Sequence, residues 1–229
     1  MKAAIHQSHY LPWLSYWHKA ASADVFVVLD DVQYTKNDWQ NRNKIKGPGG
    51  PLLLTVPVFH RIGRTIAETE IDAARGWARK HREAVRLSYA KAPFFERYFP
   101  ALDGLYAREW RRLGEMNEAF FSWAAGALGL RTRVVKSSDL GVGGVANERL
   151  IAICGAVGAD VYLSGRRAAE TYLKPEAFAA AGVGLEIQRW SCPVYPQGHP
   201  AAGFVPDLSI VDLLMNAGDR SLDVLKGGG

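Results

Sequence analysis

Lys2–Asp30, KAAIHQSHYLPWLSYWHKAASADVFVVLD, decides the fold. It opens on a short apolar run, Lys2 to His6, that reads as a strand. Pro12 suits the first turn of a helix, because its missing N–H would be unpaired there anyway and its φ is already helical; the helix is expected to run through about Ser22. Asp24 to Leu29 is then a continuous apolar, β-branched run, the pattern of a strand covered on both faces in a parallel sheet. Strand, helix and strand make a βαβ unit that delivers His6 and Asp30 at strand ends.

The same alternation continues outward. Asp31 to Arg42 is polar and carries no helical or strand period. Gly47-Pro48-Gly49-Gly50 is a turn signal between Asn43-Lys44-Ile45 and the apolar run Pro51 to Phe59, which predicts a β-hairpin excursion near residues 43–59. Residues 73–87 and 93–128 read as helical, a helical insertion over about 73–128. Trp77, His81, Ala84 and Tyr89 fall on one side of its first helix, and Arg75, Arg79, Arg82 and Arg86 form a basic stripe on the other. Arg131 to Lys136 reads as a strand and Ala146 to Val157 as a helix capped by Asn147 or Ser138. Asp160 to Leu163 is a strand running into Ser164-Gly165, Pro175 to Ala181 a helix closed by Gly182, Gly184 to Gln188 a strand, and Ser209 to Asn216 a helix ended by Gly218. This order predicts an α/β fold with a mainly parallel, Rossmann-like sheet, a single domain over 1–226, and a disordered tail at 227–229.

With 48% hydrophobic and 22% charged residues in 229, the chain is of globular composition, which excludes disordered and collagen-like classes. The balance of 28 Lys+Arg against 23 Asp+Glu favours small anionic partners without marking a nucleic-acid-binding protein. No run of about 18 apolar residues exists, and the N-terminus lacks the apolar core of a signal peptide, so no membrane association and a cytoplasmic location are expected. Cys154 and Cys192 make no disulfide framework, and Cys154 reads as a buried thiol on an apolar helix face. His6 and His9 are too few ligands for zinc, so no metal is expected. Gly141-Val142-Gly143-Gly144 is followed by no Lys-Ser/Thr and reads as a turn rather than a phosphate loop.

In an open α/β sheet, ligands bind beyond the carboxyl ends of the strands. Three stretches are expected to converge there: His6-Gln7-Ser8-His9-Tyr10, Asp30 through Arg42, and Ser164-Gly165-Arg166-Arg167. The second gathers Asp30, Asp31, Gln33, Tyr34, Asn37, Trp39, Gln40, Asn41 and Arg42, planar hydrogen-bonding groups and large rings suited to a polyhydroxylated or heteroaromatic ligand. The competing reading is a structural loop whose amides cap turns. Asp30 and Asp31 are neighbours in an extended segment and should point to opposite faces, so one of them is expected to enter a pocket. His6 and His9 are spaced like the histidines of HxGH nucleotidyltransferases, with Ser8 in place of the glycine. Trp17 is assigned to the core, and Trp13, nearer the helix start, to a site. The arginine stripe is either a solvated face or a dock for a phosphate-bearing carrier.

These residues also carry a resemblance. His6-Gln7, Tyr10-Leu11-Pro12-Trp13-Leu14, Tyr16 and Asp24 to Lys46 (DVFVVLDDVQYTKNDWQNRNKIK) resemble the WbqC-like family. The likeness continues in Leu53 to Val58, in Trp77 with Lys80-His81, in Glu148-Arg149, in Tyr162 to Gly165, in Tyr172-Leu173, in Pro206 to Ser209 and in Asp212 to Leu214 with Asn216 and Gly218. Ser8, His9 and Ser15 depart from the family's usual residues. The resemblance implies a place in bacterial surface-polysaccharide (O-antigen) or natural-product biosynthesis and an acyl or aminoacyl transfer, such as adding glycine to an amino sugar.

Acyl transfer to an amine needs a base for the ammonium proton and donors for the developing oxyanion. The expected catalytic residues are His6 and Asp30. Gln7, Tyr34, Asn41 and Arg42 would steady the oxyanion or orient substrate, and Tyr10 and Trp39 would stack. Asp31, Gln33, Asn37, Ser164 and Gly165 complete the substrate-binding set, and Arg75, Arg79, Arg82 and Arg86 would dock phosphate. The donor is expected to be an aminoacyl-tRNA, a carrier-bound acyl group, or an acyl-adenylate made in place from ATP, and the acceptor a sugar nucleotide or small amine. The alternatives are an ATP-dependent nucleotidyltransferase-like ligase and a non-catalytic sugar-nucleotide-binding module.

Overall fold

The apolar runs at the start of the chain pair as the βαβ pattern requires: β1 (Lys2–Gln7) and β2 (Val25–Leu29) lie side by side and parallel, with α1 (Leu14–Ala21) between them in sequence. The computed structural model describes residues 1–227, so the last two residues of the expected tail lie outside the described residues. The chain continues through β3 (Arg42–Gly47), β4 (Gly50–Thr55), β5 (Val58–Phe59), β6 (Glu70–Ile71), α2 (Trp77–Tyr89), α3 (Phe95–Ala107) and α4 (Leu113–Leu128). Then follow β7 (Arg133–Lys136), α5 (Ala146–Val157), β8 (Val161–Ser164), α6 (Arg166–Thr171), α7 (Pro175–Ala180), β9 (Gly184–Ile187), α8 (Ile210–Ala217) and α9 (Ser221–Leu225). The chain divides into two compact units, one of residues 1–7, 18–31 and 131–191, the other of residues 8–17, 32–130 and 192 onward.

The first unit is a five-stranded parallel sheet in the order β7-β2-β1-β8-β9. The chain builds outward from β1 through β2 to β7, then returns to the other side of β1 for β8 and β9. That is the Rossmann-like, doubly wound α/β order, and its switch point lies between β1 and β8. Leu150, Ile153, Cys154 and Val157 recur on α5 at spacings 3, 1 and 3, one helical stripe, and bury against Ile5, Val25 and Val27 of the sheet. Each such side chain contributes roughly 1.5–3 kcal/mol on burial. Cys154 is buried as expected, and its thiol is pushed up to about 11. Neither expected cap serves α5. Val145 holds the cap position with no side-chain bond, while Asn147 Nδ2 donates to Tyr172 O (3.1 Å) and Asn147 Oδ1 accepts from Lys174 N (3.0 Å). The short helix α6 is an addition to the sequence reading.

The second unit packs α2, α3, α4 and α8 with two small antiparallel ladders. The expected excursion is the β3–β4 hairpin, in register from Arg42↔Thr55 to Gly47↔Gly50; Val58–Phe59 leaves it and pairs with β6. The first helix begins at Leu14 rather than at Pro12, because Leu11 has a left-handed φ of 43° and Trp13 bridges to Ser209. The insertion is three helices, and Trp110, expected in one of them, lies buried in the break between α3 and α4. Trp17 is fully buried, stacked on Phe121 at 4.6 Å. Asp212 of α8 accepts from Tyr89 Oη (2.9 Å) and Tyr195 Oη (2.8 Å), joining α2 and the irregular segment before α8.

Gly114, in the first turn of α4, marks a close approach. A Cβ there would stand 2.7 Å from Ala67 Cα. Backbone cannot rotate away, so Gly114→Ala is expected to cost about 2 kcal/mol despite the helix preference of alanine. A lower urea midpoint at unchanged slope checks this; an unchanged midpoint contradicts it.

Candidate functional site

The carboxyl edge of the parallel sheet holds a cavity of about 500 Å³ at the switch point. His6 and Gln7 reach it from the end of β1, Leu29 from the end of β2, and Gly165 from the turn after β8. His6 and Gln7 of the first expected stretch and Gly165 and Arg167 of the third therefore line one cavity, while Ser8, His9 and Tyr10 fall in the other unit. Ser164, beside it in sequence, is buried with its hydroxyl on Gly165 O (3.2 Å).

Two cations belong to this cavity. Arg167 reaches it from α6, and Lys19 from α1. Lys19 is 4% exposed, and its Nζ donates to Ile5 O at 3.1 Å, on the strand that carries His6. Burial with no counter-charge lowers this amine from 10.5 to about 7. Among the described residues, none that lines the cavity is an aspartate or a glutamate. Burial raises the phenols of Tyr162 and Tyr172, which keeps both protonated as hydrogen-bond donors. Lys19 went unassigned in the sequence, where one lysine in a mainly apolar crossover helix was its only signal.

Asp30 and Asp31 belong to the same unit. Asp30 is 9% exposed and accepts from Ser138 N (3.1 Å), Ser138 Oγ (2.7 Å) and Ser137 Oγ (3.2 Å). Asp31 pairs with Arg149 Nη2 at 2.6 Å and also meets the Ser137 hydroxyl. The expectation that the two point apart is corrected: both reach one serine, because the turn after β7 folds its hydroxyl between them. These donors hold Asp30 as an anchor between the ends of β2 and β7.

The remainder of the second stretch, 33–42, lies in the other unit, and much of it follows the capping reading. Asp38 caps a short 3-10 turn through Trp39 N (2.8 Å), Gln40 Oε1 accepts from Thr35 N (2.8 Å), and buried Asn41 donates to Val56 O (2.6 Å). Arg42 donates to Asn37 Oδ1 at 3.1 Å, and Asn37 takes a left-handed φ of 65°. Gln33 is exposed and bridges Thr65; Tyr34 is buried beside the His60 ring. Tyr10, expected to stack on a ligand, is fully buried, its hydroxyl bonded to His81 Nδ1 (3.0 Å) and Tyr106 Oη (2.6 Å). Burial lowers His81 to about 4, so it is neutral in this network. His9 is buried and stacks on Trp13 at 5.1 Å.

Trp13 and Trp39 line a second pocket of about 310 Å³ in that unit, their rings 5.9 Å apart, with Lys44 Nζ 5.4 Å from the Trp39 ring. The arginine stripe is exposed, and three of its members already have carboxylates: Arg75 with Asp72, Arg82 with Asp103, and Arg86 with Glu83. Arg75 lies in a 3-10 turn before α2; Arg79 is an exposed member on the helix itself.

Fold and site define a Rossmann-like α/β protein with a cavity lined by Lys19 and Arg167 at its switch point. The chain belongs to the WbqC-like protein family, whose model matches residues 7–224. It is similar to the uncharacterized protein Rv1507c of Mycobacterium tuberculosis, with 34% identity over 229 residues covering 98% of this chain and 97% of that one. No solved structure matches it. Among the described residues, no helix is long and apolar enough to cross a membrane.

Proposed function

We propose that the protein is a cytoplasmic enzyme of bacterial surface-polysaccharide or natural-product biosynthesis that acylates or aminoacylates a small amine, with an amino sugar as the acceptor class. The observation that carries this reading is the switch-point cavity, where His6 and Gln7 from β1 and Gly165 after β8 meet beside two cations. In the reaction, the acceptor nitrogen bonds to the acyl carbon, the leaving group departs from that carbon, and His6 takes the ammonium proton. Gln7 and Arg167 supply N–H groups for the oxyanion. Asp30, occupied by its serines, keeps the strand ends in place rather than moving protons. An aminoacyl-tRNA, a carrier-bound acyl group or an acyl-adenylate formed from ATP is the donor.

Incubation with amino-sugar nucleotides and each donor class, read by product mass, tests this. An added acyl or aminoacyl mass is expected; tight sugar-nucleotide binding with no product from any donor would overturn it. His6→Gln is expected to lower kcat about a hundredfold or more with KM little changed, the signature of a lost general base. An unchanged kcat would remove His6 from the role.

A further inference from the structure

The transfer step gives Arg167 a role but leaves Lys19, the buried cation of the same cavity, without one. Among the described residues, the cavity's cationic side chains are Lys19 on its inner wall and Arg167 on the exposed face of α6, and its lining includes no carboxylate. Ile5, Leu29, Leu150 and Ala168 make part of the wall apolar. A buried ammonium without a counter-ion is costly, and what compensates it is an anion that arrives with a ligand. At about 500 Å³ the space exceeds what a simple inorganic ion fills, and the apolar wall suits a carbon skeleton.

We infer that this cavity binds a small organic oxyanion, a phosphate ester or a carboxylate, whose charged group pairs with the Lys19 ammonium and the Arg167 guanidinium. This rests on reading the switch-point cavity as the functional site, and it names the chemical class of the ligand there. It has a linked consequence. Burial lowers the Lys19 amine to about 7, so an arriving oxyanion favours the protonated form and draws a proton onto it. The other titratable and charged groups at the cavity are His6 on β1, Tyr162 on β8, and Arg167 and Tyr172 on and after α6. Burial keeps the two phenols protonated, and His6→Gln takes the imidazole that shares the cavity out of the Lys19 readout.

The test follows the Cε resonance of Lys19 in protein carrying ¹³C-labelled lysine through a pH titration. The probes are sodium sulfate, sodium acetate, and sodium chloride at equal ionic strength; sulfate and acetate hold constant charge above pH 6. The Lys19 midpoint is expected to rise by about one pH unit or more in one of the two oxyanions relative to chloride, a tenfold preference for the charged form. A larger response to sulfate identifies a phosphate-type group, and a larger response to acetate a carboxylate. Arg167→Gln should shrink the response, and His6→Gln should leave it in place. A midpoint that neither oxyanion moves, or a response undiminished in Arg167→Gln, overturns the inference. The mass assay for transfer is independent. A moving midpoint with no product leaves the oxyanion site standing without the transfer reading, and product with an unmoved midpoint does the reverse.

Discussion

Replacing Asp212 by alanine is expected to lower stability by about 4 kcal/mol, because two buried phenols lose their shared acceptor at once. Asp212 is 0% exposed, and Tyr89 and Tyr195 donate to its two oxygens. The same Tyr89 hydroxyl accepts from Lys46 N (3.0 Å), so the carboxylate also orders the β3 backbone at one remove. Lys46 in turn donates from Nζ to Gln197 Oε1 at 3.1 Å and to Gly203 O. One carboxylate on α8 thus ties together a helix, a hairpin strand and the irregular segment between β9 and α8. Removing one tyrosine hydroxyl is a milder change, because the carboxylate keeps its other donor. Tyr195→Phe is expected to cost about 1–2 kcal/mol, against about 4 for Asp212→Ala. Urea unfolding of both variants beside the parent checks the ratio. Equal, small losses would mean that the network carries little of the unit's stability.

Lys19→Met is expected to stabilise the protein, and to do so most at low pH. In the unfolded chain the amine titrates at its ordinary 10.5, and in the fold at about 7. Between those values the unfolded state binds more protons, so stability rises with pH across that window. Below about pH 7 the full cost of burying the charge is present, and above 10.5 none of it is. Each tenfold difference in acidity is worth about 1.4 kcal/mol, which caps the effect at about 5 kcal/mol; relaxation around the amine should leave about 3. Methionine fills the space without the charge, so at pH 6 the variant should unfold about 3 kcal/mol harder than the parent, and near pH 10 with little difference. A variant destabilised equally at both values would show that the bond to Ile5 O, rather than the charge, dominates at this position. A buried cation that costs stability is what a ligand-binding role would retain.

The fold was largely legible because its signals are local and strong. Asp24 to Leu29 has no polar residue between its ends, and α5 shows its buried stripe in the spacing of Leu150, Ile153, Cys154 and Val157. The alternation of strands and helices pointed to a mainly parallel sheet, while the strand order and the switch point came from the pairing in the structure. Short elements set by tertiary contacts were less legible: α6 carries too few residues for a period, and Trp13 left the helix to bridge a serine almost two hundred residues away in sequence. The site divides in the same way. His6, Gln7 and Gly165 are placed by strand ends, which sequence can locate. Tyr10 looked like a ligand-stacking ring because its partners, His81 and Tyr106, come from distant helices that no local pattern connects to it. Asp30 looked like a free base because the serines that hold it follow a strand more than a hundred residues later. Lys19 was hidden for the converse reason: its burial comes from the sheet beneath the helix, and one lysine among apolar neighbours reads as a surface residue.

The switch-point cavity is where the ligand is expected to bind. Backbone amide shifts of ¹⁵N-labelled protein, recorded while a nucleotide-linked amino sugar with a free amine is titrated in, test it most directly. The expected result is a saturable set of changes centred on His6, Gln7, Lys19, Gly165 and Arg167. Changes centred on Trp13, Trp39 and Lys44, or on the exposed face of α2 at Arg79 and Arg82, with the cavity residues unmoved, would contradict it.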